Sequence, residues 1–144
     1  MVICADTSFL FSLYGNDGNT SRALAWMKSC RNPLTLTTLN EYELANALRF
    51  AEFRKAIGPG EAALFWAQFE ADRASGRLKI QVCNLADGVD EAKRLSATYT
   101  LALGHRGFDT LHVAAAIRLK ANQFLTFDGN QETLAEAEGL VVPV

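Results

Sequence analysis

Cysteine, excess charge of one sign and long apolar runs are all scarce in this sequence of 144 residues. The three cysteines, Cys4, Cys30 and Cys83, are widely spaced and form no Cys-x-x-Cys pair. Odd number and spacing argue against a disulfide framework, and we expect buried, reduced thiols. No apolar run approaches the ~20 residues that span a membrane, and no signal-peptide pattern is present. We therefore expect a cytoplasmic protein without a membrane partner.

Charge does not by itself indicate a nucleic-acid partner. The chain has 14 basic and 16 acidic residues, a formal net charge of -2. A strongly basic balance would favour nucleic acid, and its absence leaves only local basic residues to contact a phosphate. The hydrophobic fraction of 49% argues against general disorder.

Short apolar segments alternate with longer amphipathic ones along the whole chain. The predicted strands are 2–5, 34–37, 78–82, 124–127 and 140–142. The predicted helices are 8–14, 20–30, one from 39 to the Gly58-Pro59-Gly60 break, one from there to about 75, 87–103, 108–119 and 131–138. Strands separated by helices predict a single α/β domain over residues 1–144, with a mainly parallel central sheet.

Four acidic residues fall near the carboxyl ends of predicted strands. Asp6 and Asp128 come directly after apolar strands, whereas Glu43 and Asp109 lie in the first turns of predicted helices. In an open parallel sheet, strand ends and the starts of the following helices share one edge, where ligands bind. We therefore expect these four carboxylates to converge.

Each acid alone also has a purely structural interpretation. Asp6, Asp109 and Asp128 suit helix N-termini, and Glu43 suits a solvated helix face. Convergence changes the energetics: two carboxylates about 5 Å apart repel by roughly 3 kcal/mol at an effective dielectric constant near 20. Four together would cost on the order of 10 kcal/mol, comparable to the stability of a domain. Such a cluster requires protonation or a divalent cation, and all-oxygen ligands favour Mg²⁺ or Mn²⁺.

In this order, the acidic motifs resemble those of the PIN-domain family, in particular its VapC-type toxins. The resemblance extends from residue 2 to about 142. It rests on Asp6-Thr7-Ser8 and on the segments 37–48, 108–116 and 124–128.

The resemblance implies a three-layer α/β/α fold and an endoribonuclease that uses Mg²⁺ or Mn²⁺ and leaves 5′-phosphate and 3′-hydroxyl ends. It implies catalytic roles for four acids and supporting roles for two threonines beside them. The catalytic acids would be Asp6, Glu43, Asp109 and Asp128; the metal ligands Asp6, Asp109 and Asp128; and the supporting hydroxyls Thr7 and Thr126. Glu41 competes with Glu43, but the sequence around Glu43 favours the latter. Many members of the family carry another acid soon after the fourth one, but Asn130 is neutral. The number of metal ions bound, one or two, therefore stays open.

The same resemblance implies an antitoxin partner and a homodimer. Aromatic residues on two consecutive predicted helices are more numerous than one inner face requires, and they offer a hydrophobic groove for a partner segment. They are Phe50, Phe53, Phe65, Trp66 and Phe69. For RNA phosphates, the first candidates are Arg106 and Arg49. We expect His105 and His112 to be packed histidines, not metal ligands.

Two other classes of protein remain open from the residues. One is a non-catalytic α/β binding module whose acids are caps and surface charge. The other is a phosphoryl-handling domain, such as a receiver or an aspartate-nucleophile phosphatase. Against the second, Asp6 has no further acid beside it, and no lysine follows a later strand in the receiver pattern.

Overall fold

The computed structural model of the protein describes residues 1–144 and contains the predicted alternation of strands and helices. The strands are β1 (Ile3–Ala5), β2 (Leu34–Leu36), β3 (Leu78–Ile80) and β4 (Gln123–Leu125). The helices are α1 (Thr7–Tyr14), α2 (Thr20–Ser29), α3 (Thr38–Phe53), α4 (Glu61–Ala74), α5 (Leu85–Leu95), α6 (Leu101–Leu103), α7 (Gly107–Arg118) and α8 (Gly129–Ala137). A π-helical turn, Ser96–Thr100, joins α5 to α6.

The four strands form one parallel sheet in the order β3-β2-β1-β4. Along the chain, β2 and β3 are added on one side of β1, and β4 is then added on the other side of β1. The direction in which strands are added therefore reverses between β1 and β4. In a parallel sheet this reversal opens a crevice at the carboxyl ends of the two strands. Asp6 follows β1 at this crevice, and Thr126 follows β4 beside it.

Helices cover both faces of the sheet because successive side chains of a strand point to opposite faces. Ile3 and Ala5 pack into the core shared with α1, α2, α3 and α4, whereas Cys4 packs into the core shared with α7 and α8. The same alternation separates Phe124 from Leu125. The predicted three-layer α/β/α fold is confirmed. None of the helices combines the length and the apolarity that crossing a lipid bilayer requires.

Several predicted boundaries are displaced. The predicted helix 87–103 begins earlier, at Leu85, because the Asn84 side chain accepts the N–H of Ala86 at 2.9 Å and caps it. Residues 140–142 do not form a strand: Val141 makes only an isolated bridge to Gln123. Pro143 has no N–H to extend the pairing.

The cysteines are only partly as expected. All three thiols are free, but only Cys4 is buried, and burial raises the pKa of its thiol to about 12. The prediction of burial is wrong for Cys30 and Cys83, which are half-exposed. Cys30 follows the last turn of α2 and packs only at the margin of the core, and Cys83 lies in the connection after β3.

Candidate active site

Asp6 is the centre of the candidate site, and its side chain is fully buried. Ser8 Oγ donates to both of its carboxylate oxygens at 2.8 Å, and Thr126 Oγ1 donates at 2.7 Å. The backbone N–H of Phe9 donates at 2.9 Å, so Asp6 is also the N-cap of α1. Burial raises the pKa of Asp6 above its usual value, although the hydrogen bonds from Phe9, Thr126 and Ser8 act to lower it.

Asp109, in the first turn of α7, meets Asp6 through the side chain of Gln131. The Gln131 amide nitrogen Nε2 donates to Asp6 Oδ2 at 2.6 Å and lies 3.3 Å from Asp109 Oδ1. One nitrogen atom therefore joins two carboxylates that are 103 positions apart in the chain. Arg106 lies on the solvent side of this pair, with its Nε 3.1 Å from Asp109 Oδ2.

Asp128 begins α8 as its N-cap and accepts the N–H of Gln131 at 2.9 Å. Its own N–H donates to Thr126 Oγ1 at 3.0 Å, and Thr126 in turn donates to Asp6. Asp128 is thus linked to Asp6 through a single hydroxyl. It follows β4 by two intervening residues rather than directly, because the strand ends at Leu125.

Glu43 forms the adjoining part of the site. Thr7 Oγ1 donates to Glu43 Oε2 at 2.6 Å, and His112 Nε2 is hydrogen-bonded to the same oxygen. Burial acts to raise the pKa of Glu43, but the hydrogen bonds from His112 and Thr7 outweigh it and hold this pKa below its usual value. Glu43 is therefore ionised near neutral pH.

Glu41, the competing acid, lies away from this network. It forms a salt bridge with Arg73 of α4, 2.8 Å from Glu41 Oε1 to Arg73 Nη1. Positions 41 and 43 are 200° apart around a helix, so only one of them can face the crevice. The geometry therefore places Glu43, not Glu41, beside Thr7.

Asn40 holds α3 and α7 against the end of β1. Its Nδ2 donates to the backbone carbonyl of Ala5 at 2.9 Å and lies 3.4 Å from His112 Nδ1. Its Oδ1 accepts the backbone N–H of Thr37 at 2.8 Å, which caps α3. His112 is packed, as expected, but it is packed against Glu43 and belongs to the site.

Asp6, Asp109 and Asp128 are thus linked through Gln131 and Thr126, whereas Glu43 is bonded to Thr7 and His112 and to none of the other three acids. Asp6 and Asp128 also cap helices. No three side chains among the acids, histidines and cysteines surround a common point closely enough to hold an ion as they stand. The donor set nonetheless fits a hard cation: the ligand atoms at the crevice are carboxylate oxygens. The buried Gln131 Oε1, moreover, has no hydrogen-bond partner.

Sequence reasoning missed three residues of this site: Ser8, His112 and Gln131. Ser8 lies in the Asp6-Thr7-Ser8 motif, so its position offered a signal. His112 follows Asp109 by three residues, which puts both on one face of α7. Gln131 follows Asp128 by three residues, the spacing of a helix-capping pair.

Arg49 and His105 lie elsewhere. Arg49 lines a cavity between α3 and α4 together with Glu52 and Trp66. His105 is buried before α7, and neither of its ring nitrogens has a hydrogen-bond partner. Of the two arginines considered for phosphate binding, Arg106 alone contacts a residue of the candidate site.

The solved structures that share this fold include three that each align with nearly the whole chain. The toxin VapC20 of Mycobacterium tuberculosis, described as cleaving the sarcin–ricin loop, superposes with a TM-score of 0.70 at 18% identity, covering 96% of each chain. FitAcB of Neisseria gonorrhoeae gives 0.67 at 16% identity, covering 98% of this chain and 96% of that one. PAE2754 of Pyrobaculum aerophilum gives 0.62 at 20% identity, covering 99% and 89%.

Sequence comparison gives a family but no individual relative. No curated protein matches the sequence. The model of the PIN domain matches residues 3–137, nearly the whole chain, and includes all four acids. The chain belongs to the PIN-domain family.

Proposed function

We propose that this chain is a Mg²⁺- or Mn²⁺-dependent endoribonuclease that hydrolyses RNA phosphodiesters at the acidic crevice between β1 and β4. The observation that carries the proposal is the contact of one Gln131 nitrogen with both Asp6 and Asp109. Two carboxylates on a shared donor mark a place where positive charge is stabilised. Family membership adds weight, because the match covers the region in which all four acids lie.

In this proposal, Asp6, Asp109 and Asp128 hold the cation, which would polarise a phosphoryl oxygen and offset the charge that develops there. Ser8 and Thr126 fix the orientation of Asp6 through hydroxyl hydrogen bonds. Arg106, with 80% of its side chain exposed beside Asp109, supplies a positive charge for an RNA phosphate. The whole of residues 1–144 acts as one nuclease domain.

Glu43 is the proposed general base. Its pKa lies below the usual value, so it is ionised when it accepts a proton from the attacking water. Thr7 holds one of its oxygens at 2.6 Å, and His112 contacts the same oxygen. The other oxygen remains to accept the proton.

The sharpest test compares Glu43→Gln with Glu41→Gln, which differ by two positions on one helix. We expect wild-type protein to cleave cellular RNA with Mg²⁺ and not with EDTA, and mapping of the new 5′ ends should locate the cuts. Glu43→Gln should lose about a hundredfold or more in rate, as loss of a general base typically costs. Glu41→Gln should cleave as wild type does, because Glu41 only pairs with Arg73. Equal cleavage by both variants, or cleavage in EDTA, would contradict the proposal.

We further propose that the protein acts in the cytoplasm as the toxin of a toxin–antitoxin pair and forms a homodimer. The aromatic groove of α3 and α4 supports an antitoxin partner: Phe50 and Phe53 are exposed and stacked with ring centroids 6.0 Å apart. Trp66 lines the adjacent cavity. Co-expression with the product of a small neighbouring reading frame should give a complex that suppresses RNA cleavage, and light scattering should give twice the chain mass.

A non-catalytic binding module is the second candidate, favoured by the helix-capping roles of Asp6 and Asp128. Caps require only that the carboxylates accept backbone N–H groups, without any cation. A folded protein that neither binds Mn²⁺ in calorimetry nor cleaves RNA would favour this candidate.

A further inference from the structure

Gln131, in the first turn of α8, contacts three of the four acids. Its side-chain nitrogen donates to Asp6 at 2.6 Å and reaches Asp109 at 3.3 Å, while its backbone N–H donates to Asp128 at 2.9 Å. The side chain is buried, with only 3% of the residue exposed. Thr126, by comparison, is hydrogen-bonded to only two of the proposed ligands, Asp6 and Asp128.

The local sequence would ordinarily direct this side chain elsewhere. In a capping box, the side chain at the third helical position returns to the backbone N–H of the N-cap residue. Asp128 is the N-cap and Gln131 occupies that third position, but the Asp128 N–H is already bonded to Thr126 Oγ1 at 3.0 Å. The Gln131 carboxamide is therefore released from the cap and lies among the carboxylates.

The carboxamide lies there at a cost. Its oxygen Oε1 is buried without a hydrogen-bond partner, which destabilises a folded protein. The orientation persists because the partly positive N–H₂ group faces two carboxylates, whose repulsion it reduces. The N–H₂ group lies between Asp6 and Asp109, and a cation at that position would likewise reduce the repulsion between the two carboxylates.

Access to Asp6 also depends on this side chain. Asp6 is fully buried, so an ion reaches its carboxylate only if a neighbour moves. Ser8 and Thr126 are each held by a second contact, from the N–H of Phe127 at 2.9 Å and of Asp128 at 3.0 Å. The far end of Gln131, by contrast, is held only by the carboxylates themselves.

We infer that Gln131 is a placeholder at the metal site: its amide holds Asp6 and Asp109 together in the metal-free protein and is displaced when a divalent cation binds. The inference rests on the proposed function, since it presumes a cation site. A contact present only in the metal-free state stabilises that state and so lowers the affinity for metal by linkage. Gln131 thus sets both the stability of the free enzyme and the cation concentration that it requires.

The test is calorimetric titration of Mn²⁺ into wild type, Gln131→Met and Gln68→Met. Methionine keeps the length of the side chain and removes the amide, and Gln68 is an exposed glutamine on α4 that serves as the control. We expect Gln131→Met to bind Mn²⁺ roughly tenfold more tightly, the effect of one hydrogen bond to a charged group. Its metal-free form should melt at a lower temperature, whereas Gln68→Met should match wild type in both measurements.

Weaker Mn²⁺ binding by Gln131→Met would overturn the inference, because it would mean that the amide is itself a metal ligand. Unchanged Mn²⁺ binding would overturn it as well, because the amide would then not compete with the cation. Wild type that binds Mn²⁺ keeps the proposed function intact in either case, whereas wild type that binds none overturns both. An independent measurement needs no variant: in a Mg²⁺ titration of ¹⁵N-labelled wild type, the side-chain amide protons of Gln131 should exchange faster with solvent. Unchanged exchange at Mg²⁺ saturation would likewise overturn displacement.

Discussion

His112 and Glu43 are hydrogen-bonded to each other although their helices pack on opposite faces of the sheet. Glu43 belongs to α3, whose Leu44 and Leu48 lie in one core, and His112 belongs to α7, whose Val113 lies in the other. They meet beyond the carboxyl end of β1, where no strand separates the two layers. The pair ties the layers together at the site and holds the pKa of Glu43 below its usual value.

Replacing His112 by leucine should therefore change the pH dependence of RNA cleavage. Without the imidazole, the pKa of Glu43 rises, and the acidic limb of the kcat/KM profile moves to higher pH. A shift of roughly one pH unit in that limb corresponds to a loss of about tenfold at the acid end of the profile, where Glu43 is protonated in both proteins, and to almost none at pH 7. Cleavage of a fluorogenic RNA, followed from the lowest pH at which both proteins stay folded up to pH 8, measures this shift.

His105→Leu is the matched control. The ring nitrogens of His105 make no hydrogen bonds, so leucine removes no partner there. Its profile should superpose on that of wild type. An acidic limb that stays in place in His112→Leu would show that the imidazole does not set the charge of Glu43.

The titration of Asp6 should make the free energy of unfolding of the metal-free protein depend on pH. Burial raises its pKa in the folded state above the ordinary value of 3.8, so the folded state binds more protons than the unfolded state just above pH 3.8. Stability consequently falls as pH rises through that window. Asp6→Asn lacks this titration, so the stability of wild type relative to the variant should decrease from about pH 4 upward. Urea unfolding in EDTA at a series of pH values measures the difference, and a difference that does not vary with pH would contradict the assignment.

Two phenylalanines of the α3–α4 region should respond differently to truncation. Phe69 is fully buried and stacks on Trp66 with ring centroids 4.6 Å apart, so Phe69→Ala should cost about 3–5 kcal/mol. Phe53 is 78% exposed, so Phe53→Ala should change the free energy of unfolding by less than about 0.5 kcal/mol. Chemical denaturation measures both. A large loss in Phe53→Ala would mean that this ring supports the monomer rather than a partner surface.

The secondary structure can be predicted from the sequence where a local hydrophobic pattern alone determines it. Ile3, Cys4 and Ala5 form an uninterrupted apolar segment, which predicts a strand buried on both faces, and the two cores confirm it. The π-helical turn at Ser96–Thr100 lies within a helix whose pattern carries no sign of it. The bridge at Val141 fell short of a strand because pairing depends on neighbours far away in the chain.

The sequence predicts which acids lie near the carboxyl ends of the strands, but it does not predict their hydrogen-bond partners. Asp6 and Asp109 were located by strand ends and helix starts, which the chain order determines. The direction of a side chain such as Gln131 depends on which donors are already taken, here the Asp128 N–H by Thr126. The apolar helix face around His112 predicts a core residue, and only the position of α3 in the fold brings Glu43 to it.

Calorimetric titration of Mn²⁺ into wild type, Asp6→Asn and Asp109→Asn, each first shown to be folded by circular dichroism, most directly tests whether these two carboxylates share a divalent cation. We predict saturable binding to wild type, with affinity lower by about a hundredfold or more in each variant, since one charge at ~5 Å contributes roughly 3 kcal/mol. Binding of equal strength in all three proteins, or none in wild type, would contradict a cation site at Asp6 and Asp109.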